Sequence, residues 1–149
     1  MTQNFTLAWL MLSTSLLTVH AHAEAFSAQQ AQRMAAAAEQ AARVQGFSIV
    51  ISIVDKHGNL KHFHRMDGAG TDNINAAQLK ATTSARFPLS SKGRAASPAN
   101  PYASLPRITL LQGGLPILDA NGEHIGGIGI SGATPELDAA FAEAALDGS

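Results

Sequence analysis

Two histidines two residues apart, His62 and His64, stand in the stretch Leu60-Lys61-His62-Phe63-His64-Arg65-Met66. If that stretch is a β-strand, its period of two sends both imidazoles from one face, together with Leu60 and Met66. Lys61, Phe63 and Arg65 then leave the other face. Imidazole and thioether groups are ligands for copper and for haem iron, which makes His62 and His64 the candidate metal ligands. A pair with no third defined ligand is an incomplete site for a free metal ion, and paired histidines also stand on wet sheet faces. His57 and His124 lie in or beside turns and read as surface residues.

Other residues could hold a ligand near that strand. Arg65-Met66-Asp67-Gly68 closes it with a guanidinium able to grip a carboxylate by two hydrogen bonds, or to pair with an acid of its own chain. Lys80 falls on a helix and reads either as a solvated lysine or as a second cation at the same mouth. Gly113-Gly114 lets a backbone approach a ligand closely. The candidate cofactor-binding residues are therefore His62, His64, Arg65, Lys80, Gly113 and Gly114. Gly127-Ile-Gly129-Ile-Ser-Gly132 matches the G-x-G-x-x-G spacing of dinucleotide sites. That reading needs a first βα unit, a following parallel strand and an acid about 20 residues on, whereas here the glycines precede the final helix. They read instead as a strand on which a helix, a subunit or a ligand lies closely. Ser131 lacks the G-x-S-x-G elbow. The acids are scattered and none sits in an apolar run, so no carboxylate pair is set up for acid–base work. Whether the chain is an enzyme stays open.

The elements that must position these residues are legible in outline. Ser27-Ala-Gln-Gln30 forms a capping box for an alanine-rich helix running to about Gln45, with Gly46 as its left-handed stop. Its stripe of Ala31, Met34, Ala35, Ala38 and Ala42 is narrow and small. Phe47–Val54 is rich in β-branched residues and predicts a buried strand. Asp55–Asn59 is turn chemistry, and Leu60–Met66 pairs back as a second strand. Asp72–Arg86 carries Ile74, Ala77, Ala81 and Ala85 at helical spacing. The proline-rich stretch from Phe87 to Pro106 is irregular. Ile108–Gln112, Leu115–Asp119 and His124–Ser131 predict three more strands, the last two joined at Asn121-Gly122, a pair suited to the positive φ angles of a tight turn. Thr134-Pro135-Glu136 opens a final helix, Pro135–Leu146, with Leu137, Phe141, Ala144 and Ala145 facing inward. The order α-β-β-α-loop-β-β-β-α, with hairpins dominating, predicts an α+β domain around a mostly antiparallel five-stranded sheet with flanking helices.

Composition narrows the classes. The 149 residues carry a formal charge of −1 and no cysteine. Thiolate chemistry and Cys-zinc sites are excluded, and no clustered basic face marks a nucleic-acid or anionic-membrane partner. Residues 1–23 read as a secretory signal. Phe5 to Val19 is apolar and Ala21-His22-Ala23 supplies small residues for cleavage, although the start lacks Lys and Arg. Residues 24–149 are then the mature domain, periplasmic or secreted, with no membrane attachment after cleavage.

The chain also resembles the GlcG/HbpS-like family of haem-binding or haem-degrading domains, which includes the C-terminal domain of PduO-type proteins. The resemblance rests on the alanine-rich first helix, Ile53-Val54-Asp55 with Gly58, Phe63 with Arg65-Met66-Asp67-Gly68-Ala69, Lys80-Ala81, Gly113-Gly114-Leu115-Pro116-Ile117, and Gly126 to Pro135. It implies a profilin-like α+β domain that assembles into homo-oligomers, from dimers to octamers. It also implies haem as cofactor, with sensing, storage or degradation of haem iron as roles. Two features depart from the family pattern: His62 and His64 replace small or apolar positions, and Leu89–Pro106 is unlike the usual connection. The first helix holds no histidine, so the ligand assignment follows from residue chemistry alone. The competing reading is a binding protein or enzyme for a small carboxylated metabolite, using Arg65, Asp67, Lys80 and the Gly113-Gly114 turn.

Overall fold

The computed structural model describes residues 26–87 and 106–148; the expected signal segment and most of the proline-rich connection lie outside them. Three helices, α1 (Ala28–Val44), α2 (Asp72–Arg86) and α3 (Pro135–Asp147), flank strands β1 (Val50–Asp55), β2 (Leu60–Arg65), β3 (Gly114–Leu118) and β4 (His124–Ser131). The strands form one sheet in the order β2-β1-β4-β3, and each neighbouring pair is antiparallel. β2 and β3 are therefore its edges.

Among the described residues the sheet has four strands rather than five. Ile108–Gln112 forms no strand, because side chains take the amides that a ladder would use. The Thr109 amide donates to Thr83 Oγ1 at 3.1 Å and the Leu111 amide to Thr109 Oγ1 at 3.2 Å. The Asn121-Gly122 turn also differs from expectation: Gly122 has φ +80° while Asn121 stays negative. Asp119 is the organiser instead. Its Oδ1 accepts from the amides of Asn121 and Glu123, and its carbonyl accepts from Gly122. The β1–β2 turn repeats the device, with Asp55 Oδ1 taking the His57 and Asn59 amides and Gly58 at φ +85°. Both hairpins then shift register by one residue, as a turn followed by a left-handed glycine requires.

Helix ends follow their capping residues. Ser27 Oγ accepts from the Gln30 amide, and α1 closes as the Phe47 amide bonds the Ala42 carbonyl past Gly46, at φ +78°. Thr134 caps α3 with Pro135 in its first turn.

The sheet's two faces are built differently. On the α1–α3 side, Ile51, Ile53, Ile117, Ile128 and Ile130 pack against Met34 and Phe141, with the alanine stripe of α1 closing the layer. Phe47 and Phe141 meet with ring centroids 6.2 Å apart. On the α2 side the contact is nearly backbone to backbone. A Cβ on Gly129 would sit 2.1 Å from the Ala77 carbonyl oxygen, and one on Gly127 would sit 2.4 Å from that of Ala81. The first two G-x-G-x-x-G glycines, Gly127 and Gly129, are thus the bed of α2, while Gly132 lies against Ser48 and Ile49. With β4 antiparallel to both neighbours, the described residues contain no parallel βαβ unit to hold a dinucleotide.

Candidate functional site

Strand alternation does place His62 and His64 on one face of edge strand β2, opposite Ile53 and Ile51, on the side covered by α1. The rings differ in their surroundings. His64 Nε2 lies 3.4 Å from Glu39 Oε2 of α1, with His64 43% and Glu39 25% exposed. The other oxygen of Glu39 accepts from Arg43 Nε at 3.0 Å and Nη2 at 2.5 Å, one helical turn on. His62 makes no hydrogen bond or ion pair among the described residues. Partial burial, and then the neighbouring charge of His64, hold its proton affinity below the ordinary imidazole range. A neutral ring keeps the lone pair that metal ligation requires. Met66 does not join the pair, since its sulfur is buried and accepts from the Ile49 amide at 3.4 Å.

Arg65 leaves the opposite face of β2 and donates from Nη1 to the Ala69 carbonyl at 2.6 Å, bracing the loop after the strand. Lys80, Gly113 and Gly114 gather beside β3, at the other edge of the sheet and roughly 14 Å away at three strand spacings. Lys80 is 3% exposed, so the expectation of a solvated helix lysine fails. Its ammonium donates to Asp138 Oδ2 and to the Ile130 carbonyl, both at 2.7 Å. Asp138 Oδ1 in turn accepts from the Ala133 amide. Burial pushes the Asp138 carboxyl above its ordinary range, with Lys80 and Ala133 opposing. Gly113, at φ +106°, makes room for this pair: a Cβ there would stand 2.7 Å from Asp138 Cβ and 2.9 Å from Lys80 Nζ. The six expected residues therefore fall into three separate places. His62 and His64 share one, Lys80, Gly113 and Gly114 share another, and Arg65 stands by itself on the opposite face of β2.

Two residues escaped the sequence reading. Asp138 sits in the apolar stripe of α3 with Phe141, Ala142 and Ala145, and an acid in such a stripe is itself a signal of a buried partner. Glu39 gave no such signal, because its role depends on where β2 lies.

Surface grooves among the described residues include two. The larger, about 320 Å³, is lined by Asn75, Gln78, Leu79, Thr82 and Arg107, and the smaller, about 140 Å³, by Gln112, Glu136, Ala139, Ala140 and Glu143. Neither includes an expected site residue. Among the described residues no three His, Asp or Glu side chains are placed to hold a metal ion. The donor set is thus too small for a bare cation. It does fit iron already held in a porphyrin, which needs only axial ligation from the protein.

Comparison with known proteins supplies the context. Residues 26–147 match the family model described as "Haem degrading protein HbpS-like". A Citrobacter freundii protein, an uncharacterized 15.0 kDa product of the dhaT-dhaS intergenic region, is 35% identical over 125 residues, which cover 78% of this chain and 87% of the relative. The crystal structure of HbpS aligns with a TM-score of 0.75 and 30% identity, covering 85% of this chain and 91% of that one. A PduOC–haem complex aligns with a TM-score of 0.72 and 27% identity, covering 84% and 95%.

Proposed function

This chain belongs to the HbpS-like family, and on that premise we propose that it binds haem at the His62–His64 face of β2. One observation carries the reading: two imidazoles share a strand face with no third His, Asp or Glu ligand among the described residues, a set suited to porphyrin iron, which needs only axial ligation. The solved haem complex of a structural neighbour supports it. Haem would supply redox-active iron, and the protein's own part is to present a neutral imidazole. Lys80 drops out as a propionate partner, since its ammonium is buried on Asp138 and the Ile130 carbonyl, while Arg65 leaves the face of β2 opposite to the two histidines. The proposal extends to a periplasmic or secreted location, from residues 1–23, and to a homo-oligomer between dimer and octamer. The proposed roles are sensing, storage or degradation of haem.

The carboxylated-metabolite reading has no assembled site: Arg65 and the Lys80–Gly113–Gly114 group lie at opposite edges of the sheet. Hemin titration of the wild type and of a His62→Ala/His64→Ala double variant tests the haem reading. A Soret shift in the wild type, lost in the variant, is expected. No shift in the wild type, or an unchanged one in the variant, overturns it. Light scattering tests the assembly, and a strict monomer removes that part.

A further inference from the structure

We infer that the groove between α2 and Arg107 binds a small polyhydroxylated molecule carrying one oxyanion, of the sugar-acid or sugar-phosphate class. The groove is lined by Asn75, Gln78, Leu79, Thr82 and Arg107, and its volume of about 320 Å³ falls in the range of small-molecule sites. It lies against α2, whereas His62 and His64 face α1 across the sheet. The inference is therefore independent of the haem reading.

Three observations converge on such a ligand. The first is the helix face. Between Asp72 and Arg86, α2 has one charged residue, Lys80, and it is buried. A helix face turned to water ordinarily carries charge, but here Asn75, Gln78 and Thr82, three and four residues apart, present neutral groups. Carboxamides and hydroxyls both donate and accept hydrogen bonds, as pairing with sugar hydroxyls requires. The second is an unbalanced charge. Arg107 is exposed, no carboxylate lines the groove, and among the described residues the Arg107 side chain makes no hydrogen bond or ion pair. A guanidinium without an acid of its own chain matches a carboxylate or phosphate through paired N–H donors. The third is the backbone. Pro106-Arg107 forms a turn in which Arg107 has φ +63°, the only positive value at a non-glycine among the described residues. Turns with φ above zero after a proline favour glycine, and a side chain there is strained. An arginine in a glycine's place points to work done by its side chain. The segment that carries it is fixed to the helix, since the Thr109 amide donates to Thr83 Oγ1 at 3.1 Å. Arg107 is thus held at the groove before a ligand arrives.

The test titrates gluconate, glucose 6-phosphate and glucose into the wild type, Arg107→Gly and Gln78→Ala by isothermal calorimetry, with thermal melts of each mixture. The two anions share a hydroxylated body and differ in the oxyanion, and glucose lacks one. At least one anion should bind the wild type and raise its Tm, as a ligand of the native state must; the tighter of the two identifies the oxyanion as carboxylate or phosphate. Glucose should bind about tenfold or more weakly, the scale of one charge-assisted hydrogen bond. Arg107→Gly should lose that same factor, yet without ligand it should melt no lower than the wild type, because glycine accepts the positive φ freely. Gln78→Ala, at an exposed position, should weaken the anion that binds. Binding of neither anion overturns the site, and an unchanged affinity in Gln78→Ala overturns its location. Glucose binding as well as the anions, or undiminished binding by Arg107→Gly, overturns the role of Arg107. An Arg107→Gly variant that melts several degrees lower marks a structural arginine and overturns the backbone argument.

Discussion

Replacing Lys80 by methionine removes the ammonium and leaves the volume almost intact. Asp138 Oδ2 and the Ile130 carbonyl then lose a donor at 2.7 Å in a place where the two side chains are only 3% and 4% exposed. An unpaired carboxylate at such a site costs about 3–5 kcal/mol, and the orphaned carbonyl adds about 1 kcal/mol. Together these come to about 4–6 kcal/mol, and at about 4 °C per kcal/mol for a domain of this size, Tm should fall by about 16–24 °C. Replacing both charges, Lys80→Met with Asp138→Leu, strands only the Ala133 amide and the Ile130 carbonyl. The double variant should therefore lose about 2 kcal/mol, less than the single. Urea unfolding of the four species gives the coupling energy directly. The pH dependence has a defined sign. Burial raises the Asp138 carboxyl above its unfolded value of 3.8, and losing Lys80 raises it further, so the native state of Lys80→Met holds that proton more tightly than the unfolded chain does. The penalty is then full near neutral pH and relaxes as pH falls toward the unfolded value. A loss below about 1 kcal/mol for Lys80→Met, the size of a surface pair, would refute the reasoning, as would a double variant as unstable as the sum of its parts.

Other outcomes follow from the same structure. Gly129→Ala and Gly127→Ala must lift α2 from its bed, because the new Cβ would meet backbone atoms at 2.1 and 2.4 Å; each should cost about 3 kcal/mol, the upper range for overpacking, by thermal melting, with Gly122→Ala in the open hairpin as the control for glycine itself. His62 holds its proton more weakly when folded than its ordinary 6.5. The stability it protects is present above that value and lost as pH falls below it, so His62→Ala should flatten the drop in urea midpoint between about pH 7.5 and about pH 5.5. Slight burial raises the Asp55 carboxyl, but hydrogen bonds from the Asn59 side chain and the Asn59 and His57 amides together prevail, and its net shift is downward. Its contribution is present above 3.8 and lost as pH falls through the lower folded value. Asp55→Ala should remove that acid dependence and about 1 kcal/mol at neutral pH, by urea unfolding.

Much of the fold could be read from local signals because local forces set it. The Ser27 cap, the Gly46 stop, the α2 limits and Thr134-Pro135 all lie where residue chemistry puts them. The strand at Ile108–Gln112 was misread because its apolar residues say nothing about whether Thr83 will intercept their amides. In the candidate site, the shared face of His62 and His64 is a consequence of period two and was legible. Their inequality was not, for it depends on which face of the sheet α1 covers and hence on Glu39. Lys80 was misread for a similar reason. An isolated helix reads as having a wet side, but Lys80 lies on the buried stripe beside Ala77 and Ala81, where only a partner from α3 makes an ammonium tolerable.

The unequal faces of the sheet also govern what changes the chain can absorb. Between the isoleucines, Met34 and Phe141, a residue that shrinks can be answered by one that grows, so many fillings suit that layer. Under α2 no such trade exists. Gly127 and Gly129 have nothing to give up, and the atoms above them are main chain and the Cβ of Lys80. Mutational drift can therefore wander across the isoleucine layer, while at these two positions under α2 every step is an addition with nowhere to go.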